Sequence, residues 1–313
     1  MSSQEAKTET SPAKNRDRHA DVRFALHLLR QNPIVMAGLI ISIATVVLAL
    51  FSNILVNGSY WHQQNLNLRL CWNNPAFSWP VTNLFNCGGS VYPIGTDAYG
   101  RNLLQMIILA IPIDLQIALE VVASAVVIGV VFGSLAAYMG GLVDEVILRI
   151  TDIFLAVPWI LLAIVLIVVM GRSLSTLTIA VIITWWPWYV RLMRSQVISE
   201  KEKLYVERLR MMGAGWPRIL FRHVIPNSIY PILVQSTLDI GSVILTVSAL
   251  TFIGLTPNPL LPELGNLSNQ GIQYFFTAPW LITFPGLTIL VISLGFNLLG
   301  DGIRDIFDPR LRR

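Results

Sequence analysis

The chain is 313 residues long, 54% hydrophobic and 13% charged, with a mean hydropathy of +0.63. That composition excludes an ordinary water-soluble domain, because too few polar side chains are available to cover its surface. The net charge of +4 is small, and the placement of basic residues around a bilayer accounts for it, so nothing in it calls for nucleic acid.

In chain order, residues 1–33 form a polar tail, and up to about residue 22 it has almost no large apolar side chain, which predicts disorder. Residues 34–56 carry no charge and are long enough to cross about 30 Å of hydrocarbon. The leader and the apolar run are both too long for a cleaved signal peptide, so a retained first transmembrane helix is expected. Residues 57–103 read as an extracytoplasmic loop, rich in Asn and Trp, that holds both cysteines, Cys71 and Cys87. In an oxidising compartment a disulfide between them is expected, the alternative being two free thiols in a wet loop. Residues 104–303 form the core, with further spans at about 115–138, 153–170, 174–190, 229–253 and 280–299, and 304–313 are a C-terminal tail. The predicted fold is an all-α membrane protein of about six transmembrane helices.

Lys and Arg beside short loops resist translocation, and they orient the chain. Lys7, Lys14, Arg16, Arg18, Arg23 and Arg30 precede the first span, eight basic residues from Arg191 to Arg222 sit in and before the loop 196–228, and Arg304, Arg310, Arg312 and Arg313 follow the last span. Arg69, Arg101 and Arg172 fall on the other side. Both termini and the loop 196–228 are therefore expected in the cytoplasm of a multi-pass protein of the cell inner membrane.

That loop carries the most informative pattern. Tyr205, Leu209 and Met212 stand at i, i+4, i+7, and Trp216, Ile219, Leu220, His223 and Val224 at i, i+3, i+4, i+7, i+8, so two short amphipathic helices are predicted. Gly213 and Gly215 allow the backbone angles that stop the first helix, and Pro217 suits the first turn of the second. Pro226 then blocks simple continuation, and a new apolar segment begins near Ile229. The unit reads as a helical elbow anchored to a membrane helix, which serves either as an interfacial helix pair or as a docking element.

Ionisable groups inside a span are costly and mark a cavity or a partner. Asp114, Glu120 and Asp239 qualify: Asp114 near the outer end, as a pathway or interface candidate or no more than an interfacial residue, and Glu120 and Asp239 deeper, with one of them facing the translocation path or a subunit-interface hydrogen bond as the alternative. Ser236, Thr237, Ser242 and Thr246 share the span with Asp239 or bond back to helix carbonyls. On-chain enzyme chemistry has no support, since the sequence holds no Gly-x4-Gly-Lys-Ser/Thr, Cys-x-x-Cys or His-Glu-x-x-His, and its histidines are scattered. No metal site and no cofactor are expected on this chain.

Several clusters resemble one transporter family. The spacing of Glu207, Gly213, His223 and Pro226 is similar to the Glu-Ala-Ala, three residues, Gly loop of ABC-importer permeases, with Arg208 and Leu209 where two alanines are usual. Ile94-Gly95-Thr96-Asp97-Ala98-Tyr99-Gly100-Arg101-Asn102 resembles the signature of C-type permeases for dipeptides and oligopeptides, with Asn102 in place of the final Asp. Here Asp97 can cap a helix start and Arg101 can pair with a carboxylate. Tyr138-Met139-Gly140-Gly141 through Asp152 and Pro158 looks like the family's second cytoplasmic turn, in which Asp144 can pair with Arg149 or Arg191. Pro262-Glu263-Leu264-Gly265-Asn266 resembles its last external loop, and Phe296-Asn297-Leu298-Leu299-Gly300-Asp301-Gly302 through Asp308-Pro309-Arg310 its terminal signature.

The resemblance implies an ABC-importer permease of the dipeptide/oligopeptide/nickel group. Its implied partners are a homologous B-type permease, two ATPase subunits that hold ATP and Mg, an external substrate-binding protein and the lipid bilayer. It assigns ATPase coupling to Glu207, Met212, Gly213, Ala214, Gly215, His223 and Pro226. Members of the group also carry oligosaccharides, and Trp61, Trp72 and Trp79 suit sugar stacking as well as interfacial anchoring. A stand-alone channel or secondary transporter is the rival of another class; it needs no elbow and often shows inverted repeats, which are not found here.

Overall fold

A computed structural model describes residues 32–56, 86–87, 90–91, 94–97, 99–256 and 258–307. The expected pairing of Cys71 with Cys87 falls outside the described residues, as do residues 1–31 and 308–313, while the expected C-terminal tail begins as helix, the last helix continuing to Phe307. The first helix, α1 (Pro33–Leu55), starts where Asn32 Oδ1 accepts the Ile34 N–H at 3.1 Å and Pro33 presets the first turn. A hairpin of β1 (Asn86–Cys87) and β2 (Ser90–Val91) follows.

Helix α2 (Leu103–Met139) is 37 residues long, so it begins well before position 115. Asn102 makes that early start, its Oδ1 accepting the N–H of Leu104 at 3.1 Å, and the helix carries Pro112 inside it instead of ending there. After a turn at Gly140, α3 (Gly141–Ala156) and α4 (Trp159–Met170) are bent by 86°. The expected straight span at 153–170 is therefore interrupted at Val157–Pro158. Pro158 disfavours helical angles at the residue before it, and Val157 takes φ −92°, ψ 131°.

The next helix, α5 (Leu174–Lys201), is 28 residues long and runs past its expected end, carrying Arg191, Arg194 and Lys201 with it. The elbow follows as α6 (Leu204–Met211), α7 (Trp216–Ile219), a π-helical turn at Leu220–Val224 and α8 (Ile225–Ser228). Helix α9 (Tyr230–Leu250) passes into a second π-helical turn at Thr251–Leu255, and α10 (Leu264–Gln270), a 3₁₀ turn at Ile272–Tyr274 and α11 (Trp280–Phe307) complete the described chain. Four segments are long and apolar enough to cross a membrane, namely α1, α2, Tyr230–Leu255 and Trp280–Asp305, and the bent pair makes a fifth if it is one span. Helix α5 is long enough as well, about 42 Å at the α-helical rise, but it is less apolar.

The most extensive packing joins α2 to α5, followed by α9 to α11 and α11 to α1. Gly129 and Gly133, four apart on α2, make the first of these possible: a Cβ at Gly129 would overlap Tyr189, and one at Gly133 would lie 2.6 Å from the Val190 carbonyl oxygen. Small residues at this spacing let membrane helices approach closely, where dispersion contacts replace the missing hydrophobic drive. The main core joins α2, α4, α5, α9 and α11. A second core lies at the elbow end.

Candidate functional site

Helix α5 ends at the elbow and α9 begins there, so the loop around Arg172 and the segment after Leu250 lie at the far end of the bundle. At the elbow, α6 stops in a Schellman turn: the Gly213 N–H donates to Arg210 O at 2.9 Å and the Ala214 N–H to Leu209 O at 3.1 Å. Gly213 takes φ +79°, and a Cβ there would meet nothing within 4 Å, so the requirement for glycine is conformational. Gly215, expected to share this role, has φ −65° and does not need it.

The elbow has two faces. Val206, Ile219, Leu220 and Val224 are at most 1% exposed and pack with Tyr189, Met193 and Val197 of α5. On the outer face Leu204, Met211, Met212 and Phe221 are exposed, beside the exposed Arg208, Arg210, Arg218 and Arg222. Met212 thus leaves the packed stripe that its spacing predicts, because α6 ends at Met211 and the turn swings it outward. Glu207 is exposed, Ala214 and His223 are half-buried, and Pro226 is exposed in the first turn of α8. Pro226 does not break the chain's helical course. The π-helical turn ahead of it pairs the Ile225 N–H with Leu220 O, and this widening accommodates a residue with no N–H.

Side chains that give no sequence signal hold the elbow in place. Glu200, 6% exposed, accepts from Lys203 Nζ at 2.5 Å and from the Tyr205 hydroxyl at 2.8 Å. Partial burial and the bond to Glu200 push the Tyr205 phenol up. Asn227 Nδ2 donates to His223 O at 2.8 Å and lies 3.4 Å from the Tyr205 oxygen, which ties α8 back to α6. Asp144 receives a bidentate pair from Arg194 at 2.6 and 2.7 Å, not from Arg149 or Arg191; Arg191 pairs with Asp152 and Arg149 with Glu145.

Asp239 lies mid-helix on α9 and is 6% exposed. Its carboxylate accepts from Trp185 Nε1 at 3.1 Å, Tyr189 Oη at 2.7 Å and Gln235 Nε2 at 2.9 Å. These partners belong to its own chain, so Asp239 joins α5 to α9. Gln235, four residues earlier on the same helix, was a readable signal; the aromatic pair was not. Ser236, Thr237 and Ser242 bond back to the carbonyls of Leu233 and Leu238. Glu120 behaves differently: it is exposed at the middle of α2, accepts from Gln116 Nε2 at 2.8 Å, and shares its face with the exposed Ala123 and Val127.

At the far end, Asp97 Oδ1 accepts the N–H groups of Tyr99 and Arg101, both at 2.9 Å, and its other oxygen pairs with the Arg101 guanidinium. Arg101 also donates to Leu260 O at 2.8 Å. Asp97 therefore holds a turn and not the helix start, which Asn102 caps. Glu263 caps α10, accepting from Gly265 N at 3.0 Å and Asn266 N at 2.7 Å. Burial pushes the Glu263 carboxyl up, against the pull of those bonds. Asp114 is 2% exposed and accepts the Leu264 N–H at 3.2 Å beside Glu263. The two sequence clusters around Asp97 and Glu263 thus fold into one clamp.

Membrane-length helices, a buried polar joint between two of them and a braced, two-faced elbow define an all-α, multi-pass integral membrane protein. The model of the binding-protein-dependent transport system inner membrane component family matches residues 129–313, and the chain belongs to that family. It is 36% identical over 290 residues to the dipeptide transport system permease protein DppC of Alkalihalophilus pseudofirmus, covering 93% of this chain and 90% of that one. The DppC protein of Escherichia coli is 35% identical over 290 residues, covering 92% of each chain. The oligopeptide transport system permease protein OppC of Bacillus subtilis is 33% identical over 295 residues, covering 92% of this chain and 90% of that one.

Proposed function

We propose that this chain is one membrane subunit of an ATP-driven peptide importer. A homologous permease completes the pathway, ATPase subunits below bind and hydrolyse ATP with Mg, and a binding protein outside delivers peptide. The two-faced elbow carries this reading. Its inner face is fixed to α5 by four buried aliphatic side chains, while Leu204, Met211, Met212, Trp216 and Phe221 are left exposed together with four arginines. Exposed apolar anchors with Arg around them have the composition of an interface core. The peptide class rests on what the relatives are named for, and the excess of Lys and Arg around the elbow and both termini supports a cytoplasmic elbow.

Phe221, 62% exposed, and Met212, 74% exposed, are the anchors this reading assigns to the ATPase cleft, and Gly213 sets the turn between them. The test is a single cysteine at Met212 in cells that express the whole transporter. Met212→Cys is expected to crosslink to the ATPase subunit and to leave the external binding protein unmodified. Crosslinking to the binding protein, or none to the ATPase across several linker lengths, would sink the coupling assignment.

A further inference from the structure

The far end of the bundle holds a cavity of about 460 Å³, lined among others by Tyr99, Arg172, Asn269, Gln270, Gln273 and Tyr274. Its size lies in the range of about 300–1,000 Å³ typical of small-ligand sites. The left-handed turn at Gly254, φ +89°, ends the span at this cavity's wall. Arg172 is the one ionic side chain among the described lining residues, and no carboxylate faces it from the cavity wall.

The amides of the wall are oriented by their bonds. Asn266 Nδ2 sits within 3.3 Å of the carbonyl oxygens of Asn258, Pro259 and Leu261, Asn269 Nδ2 donates to Phe252 O at 2.6 Å, and Gln270 Nε2 donates to Pro259 O at 2.7 Å. Only a nitrogen can occupy such positions, so each amide commits its donor to the backbone and keeps its oxygen for another group. The Gln270 oxygen is closed off from the cavity, so Asn269, whose nitrogen is held by Phe252 O, supplies the open amide oxygen. The wall therefore offers one guanidinium together with neutral oxygen acceptors and phenol hydroxyls.

We propose that this cavity is a transit subsite for the two charged ends of a short peptide, with Arg172 receiving the carboxylate and the amide oxygens, Asn269 first, receiving the ammonium. This rests on the importer reading above. The chemistry selects against the group's other cargoes: a neutral sugar leaves the guanidinium unmatched, and a divalent cation meets Arg172 with no carboxylate to hold it. The termini of an extended dipeptide stand about 7 Å apart, which a cavity of this volume accommodates.

The experiment uses the assembled transporter in lipid nanodiscs without its binding protein, and the probe is radiolabelled L-alanyl-L-phenylalanine. Saturable binding is expected, weakened at least tenfold in Arg172→Gln, as loss of a charge-assisted contact implies. The C-terminal amide of the probe should bind the wild type as weakly as the probe binds Arg172→Gln. Asn269→Leu should weaken the free amine and leave the N-acetyl dipeptide unchanged, and co-purification of all subunits checks that each variant assembles. Absence of saturable binding by a wild-type complex that still imports the dipeptide with its binding protein overturns the subsite and leaves the importer reading standing. Wild-type affinity in Arg172→Gln with a raised requirement for binding protein makes the cavity a docking point instead, which also overturns the proposal. If the wild-type complex with its binding protein imports no peptide, both readings fall.

Discussion

Asp239 shows how a charge in a span can be structural. Three donors from two helices converge on one carboxylate, so its burial is compensated, and removing the acceptor strands all of them. Asp239→Asn keeps an oxygen for the Tyr189 hydroxyl and should lower the stability of the purified complex by roughly 1 kcal/mol, with uptake retained. Asp239→Leu should cost about 3 kcal/mol or abolish assembly, because the buried Tyr189 hydroxyl and the half-buried Trp185 and Gln235 donors then lack their partner. Thermal unfolding and peptide uptake measured on both variants decide the matter. Lost uptake in a fully stable Asn variant would put the carboxylate on the translocation path instead. Position and residue type mark Asp239 in the sequence, but its role depends on aromatic side chains some fifty residues away, whose proximity no local spacing encodes.

At the scale of an element, the turn, the packed face and the polar brace of the elbow coincide, as the coupling role proposed for it requires. Gly213 tests the turn in isolation from the rest. Its φ of +79° costs other residues about 1–2 kcal/mol, more for a β-branched one and less for Asn, while the space around it is open. Gly213→Asn should therefore keep most of the uptake. Gly213→Val should leave the spans inserted yet lower uptake severalfold with ATP hydrolysis continuing. Equal uptake by the two variants would remove the turn from the coupling argument. The helical halves and their break at Gly213 were legible, since an i, i+4, i+7 stripe and a glycine stop are local properties. The outward swing of Met212 and the clasp of Glu200, Tyr205 and Asn227 were not, because they depend on where the second half folds back.

At the scale of the whole molecule, one face of α2 remains unaccounted for by this chain alone. Glu120 stands exposed at the middle of a membrane-length helix, and a carboxylate there is too costly to face lipid tails. The importer reading places this face against the partner permease or the pathway between the two. Glu120→Gln should preserve both the permease pair and uptake to within about twofold if the group is a hydrogen-bonding interface residue. Glu120→Leu should reduce co-purification of the partner by about tenfold, as expected for loss of a buried polar contact. Unchanged pairing and uptake in the Leu variant would show that the face meets neither partner nor path.

The sequence by itself determined the membrane class, the positions of the apolar segments, the elbow with its glycine stop and the family resemblance, because hydropathy, helical periodicity and turn chemistry are carried by neighbouring residues. Only the tertiary structure decided that the chain bends by 86° at Pro158, that Asp144 belongs to Arg194, and that Asp97 and Glu263 clusters far apart in the chain close into one clamp with Arg101 and Asp114. Such pairings follow from which helices approach closely. That in turn is set by glycines such as Gly129 and Gly133, whose value lies in what packs against them from elsewhere in the chain.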